Sequence, residues 1–271
     1  MTTTPNILEE IAAHKRKEIA ERMDTIPVKL LQKSVHYNAP TVSLAGYLNR
    51  KDKSGVIAEF KRKSPSVPDL HLYAEAEQIT IGYMRAGASA LSVLTDQMYF
   101  GGNLEDLKTA RKFNFCPVLR KDFMLNAYQI HEARSAGADA ILLIASLLSK
   151  NEVSELTKEA MDLGMEVLLE VHNETEIDHW NPQVKLIGVN NRNLKTFETH
   201  ISHSLELFSK LPKEAVKVSE SGIKTPEGGA KLLAVGFNGL LIGGQFMADA
   251  RPERACLKFI KALNQLNGKA V

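Results

Sequence analysis

Several side chains of the kinds that move protons stand where short apolar runs stop. Glu59 and Lys61 end VIAEFK, Lys121 ends PVLRK, Glu170 ends MEVLLE and Glu220 ends AVKVSE. A carboxylate and an ammonium held near one another can take a proton from, and return one to, the same small molecule. Glu59 and Lys61 are two residues apart, so strand alternation places both on one face. Asn190 and Arg192 close VKLIGVNNR and add an amide and a guanidinium. A lone Lys or Glu after a strand is usually a solvated surface charge. A series of them at the same end of successive apolar runs is better explained by a shared site. Glu170 is the hardest to assign to solvent, because apolar residues surround it in sequence.

Such a site needs elements that bring these ends together. Eight runs rich in β-branched and aliphatic residues begin near Val56, Ser89, Pro117, Asp139, Met165, Val184, Ala215 and Asn238. Each is followed by a polar or Gly-containing turn and an amphipathic segment. In MRAGA, ARSAGADA and LLAVGFNG a glycine closes the helix just before the next strand. Uninterrupted alternation implies parallel strands, since each helix supplies the crossover. An open doubly wound sheet would also alternate. Eight units with polar strand ends fit closure into a (β/α)8 TIM barrel better, with the site at the C-terminal strand ends. Residues 1–50 are expected to be a helical extension packed on one end of the barrel, and residues 51–271 the barrel, one domain overall. The extension reads as a helix from about Ile7 to Met23, a Pro-marked turn and a shorter helix near Leu44. Its long helix would alternatively serve as an oligomer contact.

Ser221-Gly222 and Gly243-Gly244 follow the last two strands, where barrels often hold a phosphate on backbone N–H groups. Thr225-Pro226-Glu227 has the form of a helix start. The competing view is ordinary turn glycines. No P-loop and no GxGxxG after a strand is present, so a nucleotide site is not supported. His172 shares parity with Glu170 and either lines the mouth or orders its loop. His200 and His203 lack the carboxylate or cysteine set of a metal site. Of the basic run after the first strand, Lys61 is the functional candidate, with Arg62 and Lys63 as framing charge.

With 271 residues the chain can bury a core without disulfides or metals. Its 34 Lys+Arg against 32 Asp+Glu give no case for nucleic acid or an anionic membrane as partner. Cys116 and Cys256 lie far apart and suit a reducing compartment. The charged N-terminus is unlike a signal peptide, and the longest apolar run, 138–148, is short of the ~20 residues that span a bilayer. A cytoplasmic protein is expected, monomeric or a weak homodimer, acting on a small phosphorylated molecule.

Taken in order, IAEFKRKSPS, SVLTDQMYFGG, PVLRKDFM, LLEVHNETE, IGVNNRNLKTF, SESGI and LIGGQFM resemble the indole-3-glycerol-phosphate synthase family from about Val56 to Met247. The N-terminal ILEEIAAHKRKEIAERM is similar to that family's extension. One departure is Val67-Pro68-Asp69-Leu70-His71, where the family commonly has a Lys-Gly step. The resemblance implies a carboxy-lyase of tryptophan biosynthesis with no cofactor and no metal. Its substrate would be 1-(2-carboxyphenylamino)-1-deoxyribulose 5-phosphate, converted to indole-3-glycerol phosphate. It further implies Lys121, its pKa lowered by burial or by Lys61, as the acid for the ribulose carbonyl, and Glu170 as the carboxylate facing the anilino nitrogen. Lys61 would grip the substrate carboxylate or protonate the leaving hydroxyl. Glu59 would hold the lysines, and Asn190 and Glu220 would contact hydroxyls. Phe100 and Phe123 would sandwich the benzene ring or pack as core. Ser64, in the matching loop, would bind substrate or its phosphate, and Arg192, Ser221, Gly222, Gly243 and Gly244 would form the phosphate end. Two other readings stand beside this one: a Schiff-base lysine at Lys121, as in aldolase-type barrels, and a phosphosugar-binding barrel without catalysis.

Overall fold

The computed structural model describes residues 7–193 and 196–268. Eight parallel strands close into a barrel in sequence order: β1 (Val56–Phe60), β2 (Ala90–Leu94), β3 (Val118–Lys121), β4 (Ala140–Ile144), β5 (Glu166–Val171), β6 (Leu186–Asn190), β7 (Val216–Glu220) and β8 (Gly239–Ile242). Closure is made by β1 against β8, with Val56, Ile57 and Ala58 opposite Leu240, Leu241 and Ile242. The helices are α1 (Ile7–Thr25), α2 (Val28–Leu31), α3 (Leu44–Leu48), α4 (Ala76–Arg85), α5 (Leu104–Phe113) and α6 (Ala127–Ala136). They continue as α7 (Lys150–Asp162), α8 (Glu174–Ile177), α9 (Ser202–Leu207), α10 (Pro226–Val235), α11 (Gly244–Met247) and α12 (Pro252–Leu266).

Strands start at the expected residue or up to two later, because the residues just before several of them are polar anchors rather than ladder members. Asp139, ahead of β4, accepts from Val42 N and Val118 N, each at 2.8 Å. Thr225 caps α10 and Pro226 opens it, as the sequence signal implied. The helix-closing Gly137 and Gly236 both have positive φ.

The barrel interior is filled by Ile57, Ala90, Leu119, Leu142, Leu168, Leu186, Val218 and Leu241, so it is a packed core and not a pore. The N-terminal extension does more than cover one end. At the bottom, Ser43 caps α3 and also donates to Glu166 at 2.7 Å, and Leu48 packs where a side chain on Gly239 would collide with it. At the top, α1 lays Leu8, Ile11, Ala12, Lys15 and Ile19 against the C-terminal side of the barrel. The spacing is an ordinary helical stripe with one charge in it. Lys15 is 1% exposed and reaches Asp96 Oδ2 at 2.8 Å, Asp122 Oδ1 at 3.1 Å and Glu18 at 2.8 Å. Asp122 also accepts from Thr95 and Arg120, and Arg120 and Arg22 share Glu132. This network fastens α1 to β2 and β3. Burial alone would depress Lys15, but Asp122 and Asp96 outweigh it and raise its pKa.

Both cysteines are free and buried. Burial pushes the Cys116 thiol up to about 12 and raises Cys256 as well. Among the described residues, no helix is long and apolar enough to cross a membrane, and no group of His, Cys, Asp and Glu could hold a metal.

Candidate active site

A cavity of about 410 Å³ opens at the C-terminal strand ends, lined by residues from the barrel mouth, the loop after β1 and the start of α1. On its floor Lys121 Nζ lies 2.9 Å from Glu170 Oε2 and 3.3 Å from Glu220 Oε2. The first contact is an aligned hydrogen bond. The second is close enough for an ion pair but off the hydrogen-bond line, and neither Glu220 oxygen has a hydrogen-bond partner. Beside them Lys61 Nζ lies 2.9 Å from Glu59 Oε1. The strands thus bring Glu59, Lys61, Lys121, Glu170 and Glu220 to one wall-to-wall cluster, with Asn190 beside them in the cavity lining.

The electrostatics correct one expectation. Burial taken alone would lower Lys121, but the carboxylates of Glu170, Glu220 and Glu59 override it and hold its pKa above the ordinary value. Lys61 sits on Glu59 instead of repelling Lys121. Glu170 is held down: burial opposes ionisation, and Lys121, His172 and the Asn190 amide overcome it. Glu220 goes the other way. Burial pushes it up to about 8 against the pull of Lys121, helped by the neighbouring Glu170 and Glu59 charges. Two carboxyls on one ammonium are therefore driven apart, one ionised and one inclined to keep a proton, an arrangement that suits acid–base work.

Two glycines make room for the carboxylates. A Cβ on Gly188 would overlap Glu220 Oε1, and one on Gly243 would overlap Glu59 Oε1. Gly243 therefore serves the cluster whatever else it does, while Gly244, with open space around its Cβ position, begins α11 at the cavity edge. Ser221 and Gly222 have φ of 67° and 69°, turning successive backbone N–H groups at the end of β7. For Ser221 that left-handed backbone is uncommon in a non-glycine residue, and such strain tends to gather at ligand sites.

The remaining residues expected at the substrate, Ser64, Phe100, Phe123 and Arg192, also line the cavity. Phe100 and Phe123 do not face each other across a gap. Their rings pack together at 6.0 Å between centroids and 43°, so they form one wall and leave no slot between them for a benzene ring. Arg192 lines the cavity and donates to Ser66 Oγ at 3.1 Å and Phe197 O at 3.2 Å, tying the loop after β6 to the loop after β1. Ser64 is buried in the tight turn of that loop, with backbone bonds to Val67 in both directions at 3.0 Å. Asp69 is exposed, and His71 docks the loop on Met247 O at 3.1 Å. Arg62 pairs with Asp106 and is structural, as framing charge should be. His200 and His203 fall in a second cavity beside the first.

The sequence reading missed Leu8 and Ile11, which α1 contributes to the cavity wall, and Gly188 beneath Glu220. The apolar stripe of α1 was visible, but its destination was not.

A closed parallel barrel with a Lys–Glu cluster at its C-terminal mouth defines a protein of the (β/α)8-barrel enzyme class. The model of one family, indole-3-glycerol phosphate synthase, matches residues 8–259, and the chain belongs to that family. The indole-3-glycerol phosphate synthase of Bacteroides thetaiotaomicron is 44% identical over 258 residues, covering 95% of this chain and 99% of the relative. That of Polaromonas naphthalenivorans is 41% identical and covers 91% and 95%. Among solved structures, 3-hexulose-6-phosphate synthase from Salmonella typhimurium superposes with a TM-score of 0.62 at 12% identity, covering 78% of this chain and 99% of that one. A likeness at that identity speaks for the barrel alone.

Proposed function

We propose that this cavity carries out the reaction of its family in tryptophan biosynthesis. Ring closure, decarboxylation and dehydration convert 1-(2-carboxyphenylamino)-1-deoxyribulose 5-phosphate to indole-3-glycerol phosphate. The observation that carries the residue assignment is Lys121 held 2.9 Å from Glu170 and 3.3 Å from Glu220 on the cavity floor. Ring closure drives the aromatic carbon that bears the carboxylate onto the ribulose carbonyl. Lys121 stays an ammonium while that oxygen gains charge, and yields its proton once alkoxide character makes the transfer favourable. Glu170, ionised, faces the positive charge that develops on the anilino nitrogen and takes a proton during dehydration. CO2 departs as its bonding electrons restore the aromatic ring. Lys61, aligned by Glu59, supplies the second ammonium, and Glu220 and Asn190 meet substrate hydroxyls. The Phe100–Phe123 wall with Leu8 and Ile11 receives the benzene ring. Ser221, Gly222, Gly243 and Gly244 present backbone N–H groups to the phosphate, with Arg192 above them.

A Schiff-base role for Lys121 fits less well, because a nucleophilic lysine needs a neutral amine and three carboxylates favour the charged form. Incubation with the substrate should give a rise in indole fluorescence, and borohydride with a ketose phosphate should trap no adduct. Tight binding without that rise would assign the barrel to phosphosugar binding instead. The two buried free thiols accord with a cytoplasmic enzyme.

A further inference from the structure

Protons must balance over this reaction, and the balance asks for an entrance. The carbonyl oxygen takes one proton on ring closure, and the departing hydroxyl takes another as it becomes water. Formation of the indole double bond returns one from nitrogen or its neighbouring carbon. The substrate carboxylate leaves as neutral CO2 and supplies none. Each turnover therefore draws one proton from solvent, yet Lys121, Glu170 and Glu220 lie at the floor of a chamber that substrate fills.

His172 lies between that floor and a second cavity. Its side chain is 9% exposed, with Nε2 3.4 Å from Glu170 Oε1 and Nδ1 3.4 Å from Glu176 Oε2. Glu170 lines the reaction chamber, whereas His172 and Glu176 line the second cavity together with Asn191, His200, His203 and Glu206. The backbone of His172 is fixed on both sides: its N–H donates to Glu176 at 2.7 Å, and its carbonyl lies 2.7 Å from His203 Nε2. The ring itself is not tied, since neither nitrogen has an aligned hydrogen-bond partner. The charged groups facing it are Glu170 at the end of β5, Glu176 of α8 and, farther off, Glu220 of β7; Arg192 shares the second cavity.

We propose that His172 is a relay and positioning residue that passes solvent protons from the second cavity to the Glu170–Lys121 pair. The proposal rests on the assignment of those two residues given above. After Lys121 has protonated the carbonyl oxygen, His172 Nε2–H gives its proton to Glu170 Oε1. The carboxyl group then turns about its Cγ–Cδ bond and hands that same proton to the neutral Lys121 amine, leaving Glu170 a carboxylate again. His172 starts as the imidazolium and keeps its Nδ1 proton; a turn of the ring exposes the bared Nε2 to the second cavity, where hydronium drawn by the Glu176 carboxylate restores the proton. The carboxylates around His172 outweigh burial, which alone would lower its pKa, and raise it, so the ring can carry the proton near neutral pH.

Steady-state kinetics of His172→Gln test this. Turnover should fall by about ten-fold with KM unchanged, less than the 10²- to 10⁴-fold typical of a group that touches substrate. The solvent deuterium isotope effect on kcat should grow, and added imidazole should restore rate. Glu176→Gln, at the outer end, should show the same pattern more weakly, and it keeps the test alive if His172→Gln unfolds. A His172→Gln enzyme with unaltered kcat and isotope effect overturns the relay; so does a lost rate that imidazole does not restore, with no change in isotope effect. Glu170→Gln separates the two ideas. If it keeps full turnover, the assignment of Glu170 fails. If it is inactive while His172→Gln matches the parent, the relay alone fails.

Discussion

Two clusters of buried charge sit at the same end of this barrel and are built from the same residue types. Around Lys15, Asp96, Asp122, Arg120 and Glu132, ion pairs lie at 2.8–3.1 Å; the Asp122, Arg120 and Glu132 groups are hydrogen-bonded as well, and Asp96 Oδ2 has its Lys15 ion pair without a hydrogen bond. Around Lys121, one ammonium serves Glu170 and Glu220, and both Glu220 oxygens lack a hydrogen bond. The first cluster is closed over by α1, with Asp122 at the edge of the cavity lining, and the second faces the cavity with Lys121, Glu170 and Glu220. Asp122 is driven down, burial being outweighed by Lys15 and Arg120, while Glu220 is driven up. Adjacent positions on one strand end, Lys121 and Asp122, thus belong to different devices. Saturating a buried charge with partners makes a fastening, and leaving one short of partners keeps a group that can still exchange a proton.

The difference can be broken from either side. The largest effect is expected from Lys121→Ala, which should lower kcat by roughly 10²- to 10⁴-fold. Its unfolding midpoint should stay near the parent's, because Glu220 can take up a proton and water can enter the cavity. Lys15→Met should do the reverse. It strands Asp96 and Asp122 without their cation, a loss of about 3–5 kcal/mol by denaturant unfolding, with turnover of the folded fraction little changed. Glu220→Gln should sharpen the contrast through pH. The folded-state pKa of Glu220 is raised from 4.5 to about 8, so its stabilising contribution is whole below 4.5 and lost as pH rises through about 8. The melting temperature of Glu220→Gln relative to the parent should therefore climb across that window and level off above it. The smallest effect is expected from Phe100→Leu, where losing one ring of the apolar wall costs about 0.5–1.5 kcal/mol. That should appear as a few-fold rise in KM with kcat nearly constant.

Much of this was legible in the sequence. Apolar, β-branched runs ending in charge marked the strands and their C-terminal cluster, and alternation decides which of those charges share a face. Glu59 with Lys61, and Lys121 with Glu170, meet as that logic required. The sign of the Lys121 shift was not legible, because it depends on how many carboxylates converge on one ammonium across strands distant in sequence. For the phenylalanine pair the packing alternative holds and the sandwich does not, for the same reason: both residues belong to the mouth, but only the fold says that they lie on one side of it. Lys15 leaves a readable trace in the sequence. In the stripe Leu8, Ile11, Ala12, Lys15, Ile19 it occupies a place where an apolar residue is expected, and a charge in such a place needs a buried partner.

The fastening of α1 also orders events during synthesis. Of its ties through Lys15, all end by Asp122, so the first helix can dock while the later strands are still unmade. β1 has no such early neighbour on its far edge, which stays unpaired until Leu240–Ile242 emerges from the ribosome. A nascent chain thus carries an open, adhesive strand for most of its translation, and its aggregation risk is concentrated in that interval.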